Sequence, residues 1–168
     1  MTDPDHFGAL KPQLYTDAER QRRDSSPWTL VQGILAPVQF IIFLVSLGLV
    51  MRTLMTGEGV FAAHLSILAK TLALYTIMIT GALWEKDVFG QYLFAPAFFW
   101  EDVVSFGVIA LHTLYLAGLI FGVMDDRTLF VITLFAYATY VVNAAQFLLK
   151  LRAARLSAPA SRQAEALT

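Results

Sequence analysis

Four carboxylates lie among aromatic side chains near the middle of this sequence: Glu85, Asp87, Glu101 and Asp102. The aromatic residues of the same stretch are Trp84, Phe89, Tyr92, Phe94, Phe98, Phe99 and Trp100. An apolar pocket disfavours the charged form of a carboxyl group, so an acid held there keeps its proton near neutral pH and can donate it. The rings would suit a large flat ligand. The alternative is an aromatic belt at a membrane interface, which requires no cluster of acids.

A polar stripe extends from these carboxylates along one predicted helix. Glu101, Ser105 and His112 share a helix face, because residues four and eleven apart return to the same side of a helix. At 1.5 Å per residue, His112 lies about 16 Å deeper than Glu101. The stripe indicates either an inward-facing pocket with a ligand for a metal porphyrin, or a histidine that hydrogen bonds to a neighbouring helix.

Other polar side chains fall inside the apolar stretches, where ionisable groups are costly and are therefore candidates for function. Lys70 could bind a carboxylate of another span, or its stem could extend toward the interface. His64 lies near one end of its span. Asn143 and Gln146 are one turn apart, which favours hydrogen bonds between helices.

The elements that must position these residues are membrane-spanning helices. Of the 168 residues, 57% are hydrophobic and only 15% are charged, as in a chain whose solvent is largely lipid. A spanning helix needs about 20 mostly apolar residues. Four stretches are long enough: Thr29–Met51, Val60–Leu83, Phe98–Gly122 and Thr128–Leu149. We therefore predict an all-α integral membrane bundle of four transmembrane helices.

Composition also excludes several classes of function. The chain has no cysteine, which removes disulfides, thiolate nucleophiles and iron–sulfur clusters. Its net charge of -1 provides no basic field for nucleic acid. The lipid bilayer is the partner that the composition predicts.

Lysine and arginine are concentrated at both ends of the chain, which predicts that both termini face the cytoplasm. No cleavable signal peptide is visible in the polar first segment. The sequence therefore divides into a polar amino-terminal tail (1–27), a four-helix transmembrane domain (28–152) and a mobile carboxy-terminal tail (153–168). The loop between the second and third spans, Trp84–Ala97, would then face the cytoplasm.

Three segments resemble a known family: Trp28–Gly33, Leu35–Pro37 and above all Gly81–Asp102, which holds the four carboxylates and the aromatic residues. They are similar to the 2-vinyl bacteriochlorophyllide hydratases, and the resemblance extends from about Leu14 to about Arg152. The central segment is specific, because generic membrane proteins rarely present it.

The resemblance implies a multi-pass enzyme of the cytoplasmic membrane of an anoxygenic phototroph. Such an enzyme adds water to the C3 vinyl group of chlorophyllide a, or of a related bacteriochlorophyllide, and forms a 3-(1-hydroxyethyl) group. It needs no redox cofactor, and magnesium arrives within the tetrapyrrole substrate. Other pigment-biosynthesis enzymes are possible partners, and the oligomeric state stays open.

The residues fit that chemistry with roles that are our own hypotheses. The acid that protonates the vinyl group would be Glu101 or Glu85, and the carboxylate that orients water would be Asp102 or Asp87. His112 or His64 could ligate the substrate's magnesium. The predicted substrate-binding residues are His112, Ser105, Trp84, Tyr92, Phe94 and Trp100.

Two other functions compete with hydration. The chain could be a pigment-binding or assembly subunit that uses His112 as a magnesium ligand without turnover. It could instead be a small transporter that uses Lys70 and the polar stripe. Clustered acids favour the enzyme, because passive pigment binding does not require them, and no pair of broken helices supports a transporter.

Overall fold

The structure, a computed structural model, describes residues 14–165, with side chains up to residue 153. Within this range the chain forms five α-helices and no strand: α1 (Asp17–Ser25), α2 (Pro27–Thr56), α3 (Val60–Phe89), α4 (Phe99–Phe121) and α5 (Asp126–Glu165). The last four helices are each long and apolar enough to cross a membrane. The predicted all-α bundle of four spans is confirmed, whereas the predicted orientation of the termini stays a prediction.

The loop between the second and third spans is shorter than predicted, because α3 continues to Phe89 instead of ending near Leu83. Charged residues after Leu83 suggested the end of an apolar run, but they remain helical. The helix ends at Gly90, whose φ of +83° is a left-handed conformation that glycine adopts without strain. Glu85 and Asp87 therefore lie on the last turns of a helix.

The amino-terminal segment contains a short helix that the sequence analysis did not predict. Thr16 and Glu19 form a capping box at the start of α1, with reciprocal hydrogen bonds between side chain and backbone. Tyr15 is buried against Phe89 and Phe98, so this segment is attached to the bundle. The first thirteen residues of the predicted polar tail, and residues 166–168 of the predicted mobile tail, lie outside the described residues, and the domain boundaries stay predictions.

The spans form two helix hairpins. α2 packs along α3 and α4 packs along α5, and the contacts between α3 and α4 are less extensive. We call the end with the two tight turns, near Gly57 and Gly122, the hairpin end. The opposite end, which carries α1 and the α3–α4 loop, is the tail end. Because Glu85 lies near the end of α3 and Asp102 near the start of α4, this topology brings both to the tail end.

Large apolar side chains cover the outside of the bundle, as expected of a surface that faces lipid. Leu30, Phe61 and Leu72 are each more than two-thirds exposed. The interior contains buried polar groups as well as apolar ones: Ser46, Lys70, Thr71, Glu85, Glu101, Asp102, Ser105, His112 and Thr133. Several of the residues predicted to carry chemistry are thus inside the bundle.

Candidate active site

Glu85 and Asp102 form a buried carboxyl pair at the tail end. Glu85 on α3 is 4% exposed and Asp102 on α4 is 4% exposed. The two carboxyl groups are close enough to hydrogen bond with each other. Such a hydrogen bond requires a proton on one of them, because two carboxylates are acceptors only. The pair is therefore arranged to hold one shared proton in an apolar setting.

Two consecutive backbone amides of the α3–α4 loop fix this pair. The Phe94 N–H donates to Asp102 Oδ2 at 2.7 Å, and the Ala95 N–H donates to Glu85 Oε2 at 3.1 Å. Phe94 has a φ of +59° and is the one described residue other than glycine with a positive φ. That conformation is strained for a phenylalanine. The loop thus holds Phe94 in a strained conformation in which its amide points at Asp102.

Glu101, the neighbour of Asp102, has a different environment. It is buried and forms an ion pair with Lys150 of α5, whose Nζ also donates to the Ala97 carbonyl oxygen. The Asn143 side chain donates to the Glu101 backbone oxygen at 2.8 Å. This ion pair places the Glu101 carboxylate beside the Glu85–Asp102 pair without making it part of that pair.

Exposed aromatic rings lie next to the pair. The Phe94 ring stacks on Phe106, with 5.4 Å between centroids, and lies 5.7 Å from Phe99, which contacts Trp100. These four rings are between 39% and 68% exposed. We call Phe94, Phe99, Trp100 and Phe106 the aromatic shelf. It combines exposed apolar rings with a backbone amide, that of Phe94, that bonds directly to one member of the carboxyl pair.

The remaining predicted residues at the tail end are not part of this arrangement. Asp87 is exposed and accepts a hydrogen bond from Ser26 at 2.8 Å, so the structure does not bring it together with the other three carboxylates. Trp84 donates to Thr29 at 2.9 Å and packs inside the bundle. Tyr92 is exposed, and its ring lies 5.3 Å from the Lys86 ammonium.

His112 is buried deeper in the bundle and retains a free ring nitrogen. Its Nδ1 donates to the Val108 carbonyl oxygen at 2.9 Å. Because a carbonyl only accepts, Nε2 has a lone pair, and that atom has no hydrogen-bond partner among the described residues. Ser105, on the same helix face, donates to Asn143 at 3.2 Å. The predicted stripe from Glu101 to His112 is buried along its whole length.

His64 lies at the hairpin end, far from the carboxyl pair. Its Nδ1 is 2.7 Å from the Tyr115 hydroxyl and its Nε2 is 3.0 Å from Asp126 Oδ1. Both ring nitrogens are therefore occupied. Of the two histidines predicted as magnesium ligands, His112 alone has a nitrogen free for that role.

Comparison with known proteins shows which named proteins this chain is similar to. The family profile described as 2-vinyl bacteriochlorophyllide hydratase matches residues 15–153. A 2-vinyl bacteriochlorophyllide hydratase of Rhodobacter capsulatus is 70% identical over 145 residues, which are 86% of this chain and 84% of that protein. A second, from Cereibacter sphaeroides, is 65% identical over 150 residues, which are 89% and 93% of the two chains.

The chain belongs to the 2-vinyl bacteriochlorophyllide hydratase family. The predicted resemblance is confirmed, and its extent agrees with the matched residues. The carboxyl pair, the aromatic shelf and Lys150 all lie inside the region that defines this hydratase family. No solved structure matches the chain.

Two functional groups of the site were not predicted from the sequence. The loop amides of Phe94 and Ala95 have no signature in residue type. Lys150 is one of the basic residues at the end of the last span, where a positive charge is ordinary. The sequence does contain a signal for this ion pair. Glu101 lies at the start of one span and Lys150 at the end of the next span, which is antiparallel, so the two residues lie at the same depth.

Proposed function

We propose that this hydratase adds water to the C3 vinyl group of chlorophyllide a, or of a related bacteriochlorophyllide, and forms a 3-(1-hydroxyethyl) group. The observation that carries the proposal is the buried pair of Glu85 and Asp102, which can supply a proton and take one back. The names of the relatives from two phototrophic bacteria support hydration of a vinyl group. The identity of the substrate and the mechanism are our inference from the site.

The first chemical step is transfer of the shared proton to the vinyl group. The protonated member of the pair donates H⁺ to the terminal carbon, which becomes a methyl group. The positive charge develops on the carbon attached to the ring, where the macrocycle delocalises it. Negative charge nearby lowers the energy of this cation, and the ionised Glu101 beside Asp102 provides it.

The second step is attack of water on that cation. The water forms a bond to the cationic carbon through its oxygen and loses one proton to the carboxylate of the pair. The pair thus gives one proton and recovers one, so its proton count is the same before and after each turnover. The net change is one water molecule added to the alkene, with no electron transferred.

Lys150 and the two loop amides act as positioning groups. Lys150 forms an ion pair with Glu101 and so connects α5 to the start of α4. The amides of Phe94 and Ala95 hold one oxygen of each carboxyl group, so the remaining oxygens can share the proton and face the substrate. Fixed geometry of this kind lowers the cost of reorganisation during the reaction.

The aromatic shelf is the surface that we propose the macrocycle contacts first, before its vinyl-bearing edge enters the space between α3 and α4. Its rings are exposed at the side of the bundle, where an amphipathic tetrapyrrole can arrive from the lipid. Phe94 is the member of the shelf whose amide donates to Asp102, and its ring would move aside or stack on the macrocycle as the vinyl group reaches the acid. The magnesium arrives with the substrate and no redox cofactor takes part.

We place the enzyme in the cytoplasmic membrane with both termini in the cytoplasm, where other pigment-biosynthesis enzymes could receive its product.

Incubation of membranes that contain this protein with chlorophyllide a tests the proposal. The expected product has the mass of the substrate plus one water, and it is absent from membranes that lack the protein. Water labelled with ¹⁸O should place the label on the carbon attached to the ring. Purified protein that retains pigment but hydrates none of the vinyl substrates would instead support a carrier or assembly subunit.

A further inference from the structure

Lys70 is a fully buried lysine that pairs with no anionic side chain in the described part of the chain. It lies on α3 with 0% exposure, and its Nζ has no hydrogen-bond partner within the described part of the chain. The ion pairs formed by the described residues do not include it. Its ammonium lies 3.5 Å from the centre of the Tyr140 ring. A cation on an aromatic face is attracted, but its donors remain unused.

A second unsatisfied group lies beside it. The Nε2 atom of His112 is also buried, and no residue in the range 14–153 hydrogen bonds to it. His112 is close enough to Lys70 for the two to interact electrostatically. Buried polar atoms in membrane proteins are normally satisfied, because lipid offers no alternative partner. Two such atoms from neighbouring helices indicate that the site is completed by something other than the chain.

The Lys70 site and the carboxyl pair lie along the same line, where α3 meets α4. We call this line the α3–α4 seam. Glu85 and Asp102 face each other across it at the tail end, and Lys70 and His112 lie on it deeper in the bundle. The two helices pack less extensively along the seam than the helices within each hairpin do. On the outer side of the seam, the Tyr75 and Thr113 hydroxyl groups hydrogen bond to each other at 2.7 Å.

The spacing of the two sites suits one flat ligand that occupies both. On α4, Asp102 and His112 are ten residues apart, which corresponds to about 15 Å along the helix. The apolar residues between the sites are Leu74, Met78, Val108 and Ile109. A chlorophyllide carries its vinyl group on one pyrrole ring, and a propionic acid side chain with a free carboxyl group projects from the adjacent ring. The two groups project from different parts of the edge of the macrocycle, so an edge-on macrocycle in the seam would present an anion at a distance from the alkene.

We infer that Lys70 binds the free carboxylate of the tetrapyrrole substrate, an inference that rests on the proposed function. An ammonium has three N–H donors, enough for two carboxylate oxygens and for His112 Nε2. Magnesium at the centre of the macrocycle is closer to the vinyl group than the carboxylate is. With the vinyl group at the pair, the magnesium would not reach His112, which then accepts a hydrogen bond from Lys70 instead.

The inference predicts a specificity. The carboxylate is free in a chlorophyllide and absent from an esterified chlorophyll, so Lys70 would distinguish the biosynthetic precursor from the finished pigment. A site that binds a charged group discriminates strongly against an analogue that lacks the group, because the buried polar atoms of the site are then left unpaired. Fatty acids of the membrane carry the same chemical group and are the other possible source of the anion.

The test compares chlorophyllide a with its methyl ester in detergent-solubilised wild-type protein and in Lys70→Met. The wild type should have a KM at least about tenfold lower for the acid, equivalent to about 1.4 kcal/mol. Lys70→Met should raise KM for the acid to that of the ester and leave the ester's KM unchanged. Lys86→Met, which removes an exposed lysine of the same helix, should keep the wild-type preference.

Equal KM values for acid and ester in the wild type would overturn the inference, even if the Lys70 variant failed to fold. An equal loss for acid and ester in a folded Lys70→Met would also overturn it and indicate a structural lysine. The site would be assigned to a lipid carboxylate if the wild type showed no preference for chlorophyllide a over its ester and an added fatty acid inhibited hydration of both substrates equally. Absence of hydration with either substrate contradicts the proposed function. Lys70 is then still tested by fluorescence, which measures whether the wild type binds the acid more tightly than the ester and whether Lys70→Met loses that difference.

Discussion

Glu85 and Asp102 belong to different helix hairpins, yet their carboxyl groups lie within hydrogen-bonding reach of each other at the point where the hairpins meet. Each accepts one hydrogen bond from consecutive amides of the connecting loop. The loop that separates the two residues in sequence is therefore also the element that joins them in space.

The ion pair of Lys150 with Glu101 should be needed for stability. Lys150→Met leaves a buried carboxylate without its partner, which should lower the free energy of unfolding by about 1–3 kcal/mol. Thermal melting in detergent measures the loss. Lys150→Arg should recover most of it, and Lys86→Met should melt like the wild type. If Lys150→Met melts like the wild type as well, the pair is not a structural element of the site.

Phe94 should contribute to substrate affinity through its ring and to catalysis through its amide. Phe94→Gly keeps the N–H donor to Asp102 and relieves the strain at a φ of +59°, so the protein should melt no lower than the wild type. Loss of the ring should raise KM more than it lowers kcat. Phe121→Ala, which removes an exposed ring at the hairpin end, is the control and should leave KM unchanged. A fall in kcat alone would contradict the aromatic shelf.

Gly118 should tolerate no large side chain, because α4 and α5 approach closely there. A Cβ at this position would lie 2.8 Å from a methyl carbon of Leu129 and 2.8 Å from the sulfur of Met124. Overpacking costs about 1–3 kcal/mol, so Gly118→Leu should melt at a clearly lower temperature. Gly48→Leu, at a glycine with open space around it, should have little effect. Equal melting temperatures for the two variants would contradict the close approach.

Tyr15 should make the attachment of the amino-terminal segment sensitive to high pH. Burial raises its pKa to about 12, above the value of about 10 in an unfolded chain. A group whose pKa is raised by folding stabilises fully below its unfolded pKa, so this contribution should be lost between about pH 10 and pH 12. Melting of the wild type should fall over that range relative to Tyr15→Phe. Parallel curves for the two proteins would show that the phenol is not buried as described.

The sequence predicts the fold well because each span is an uninterrupted apolar run of sufficient length, and such runs can only be helices in lipid. It predicts the end of α3 less well. Glu85, Lys86 and Asp87 look like the start of a loop, but the structural signal is Gly90, which ends the helix through its left-handed backbone. The longer α3 is predicted when Gly90 is treated as a stronger signal for the end of the helix than the charged residues before it.

The site is only partly visible in the sequence. Three of the four predicted carboxylates are buried near one another, whereas Asp87 points away, because it lies on another face of α3 from Glu85. The partnership of Glu101 with Lys150 depends on the depth at which α4 and α5 pack, which residue types alone do not specify. The strained backbone of Phe94 is a property of the folded loop and has no sequence signal.

Single-turnover hydration of chlorophyllide a by Glu85→Gln and Asp102→Asn tests the central claim most directly. Each change keeps the shape of the side chain and removes the shared acidic proton, so each should slow hydration by about 10²–10⁴-fold while pigment binding persists. The double variant should be little slower than either single one, because the two groups act as a unit. Asp87→Asn should hydrate at the wild-type rate. If Glu85→Gln or Asp102→Asn converts bound chlorophyllide a as fast as the wild type, the carboxyl pair is not the source of the proton.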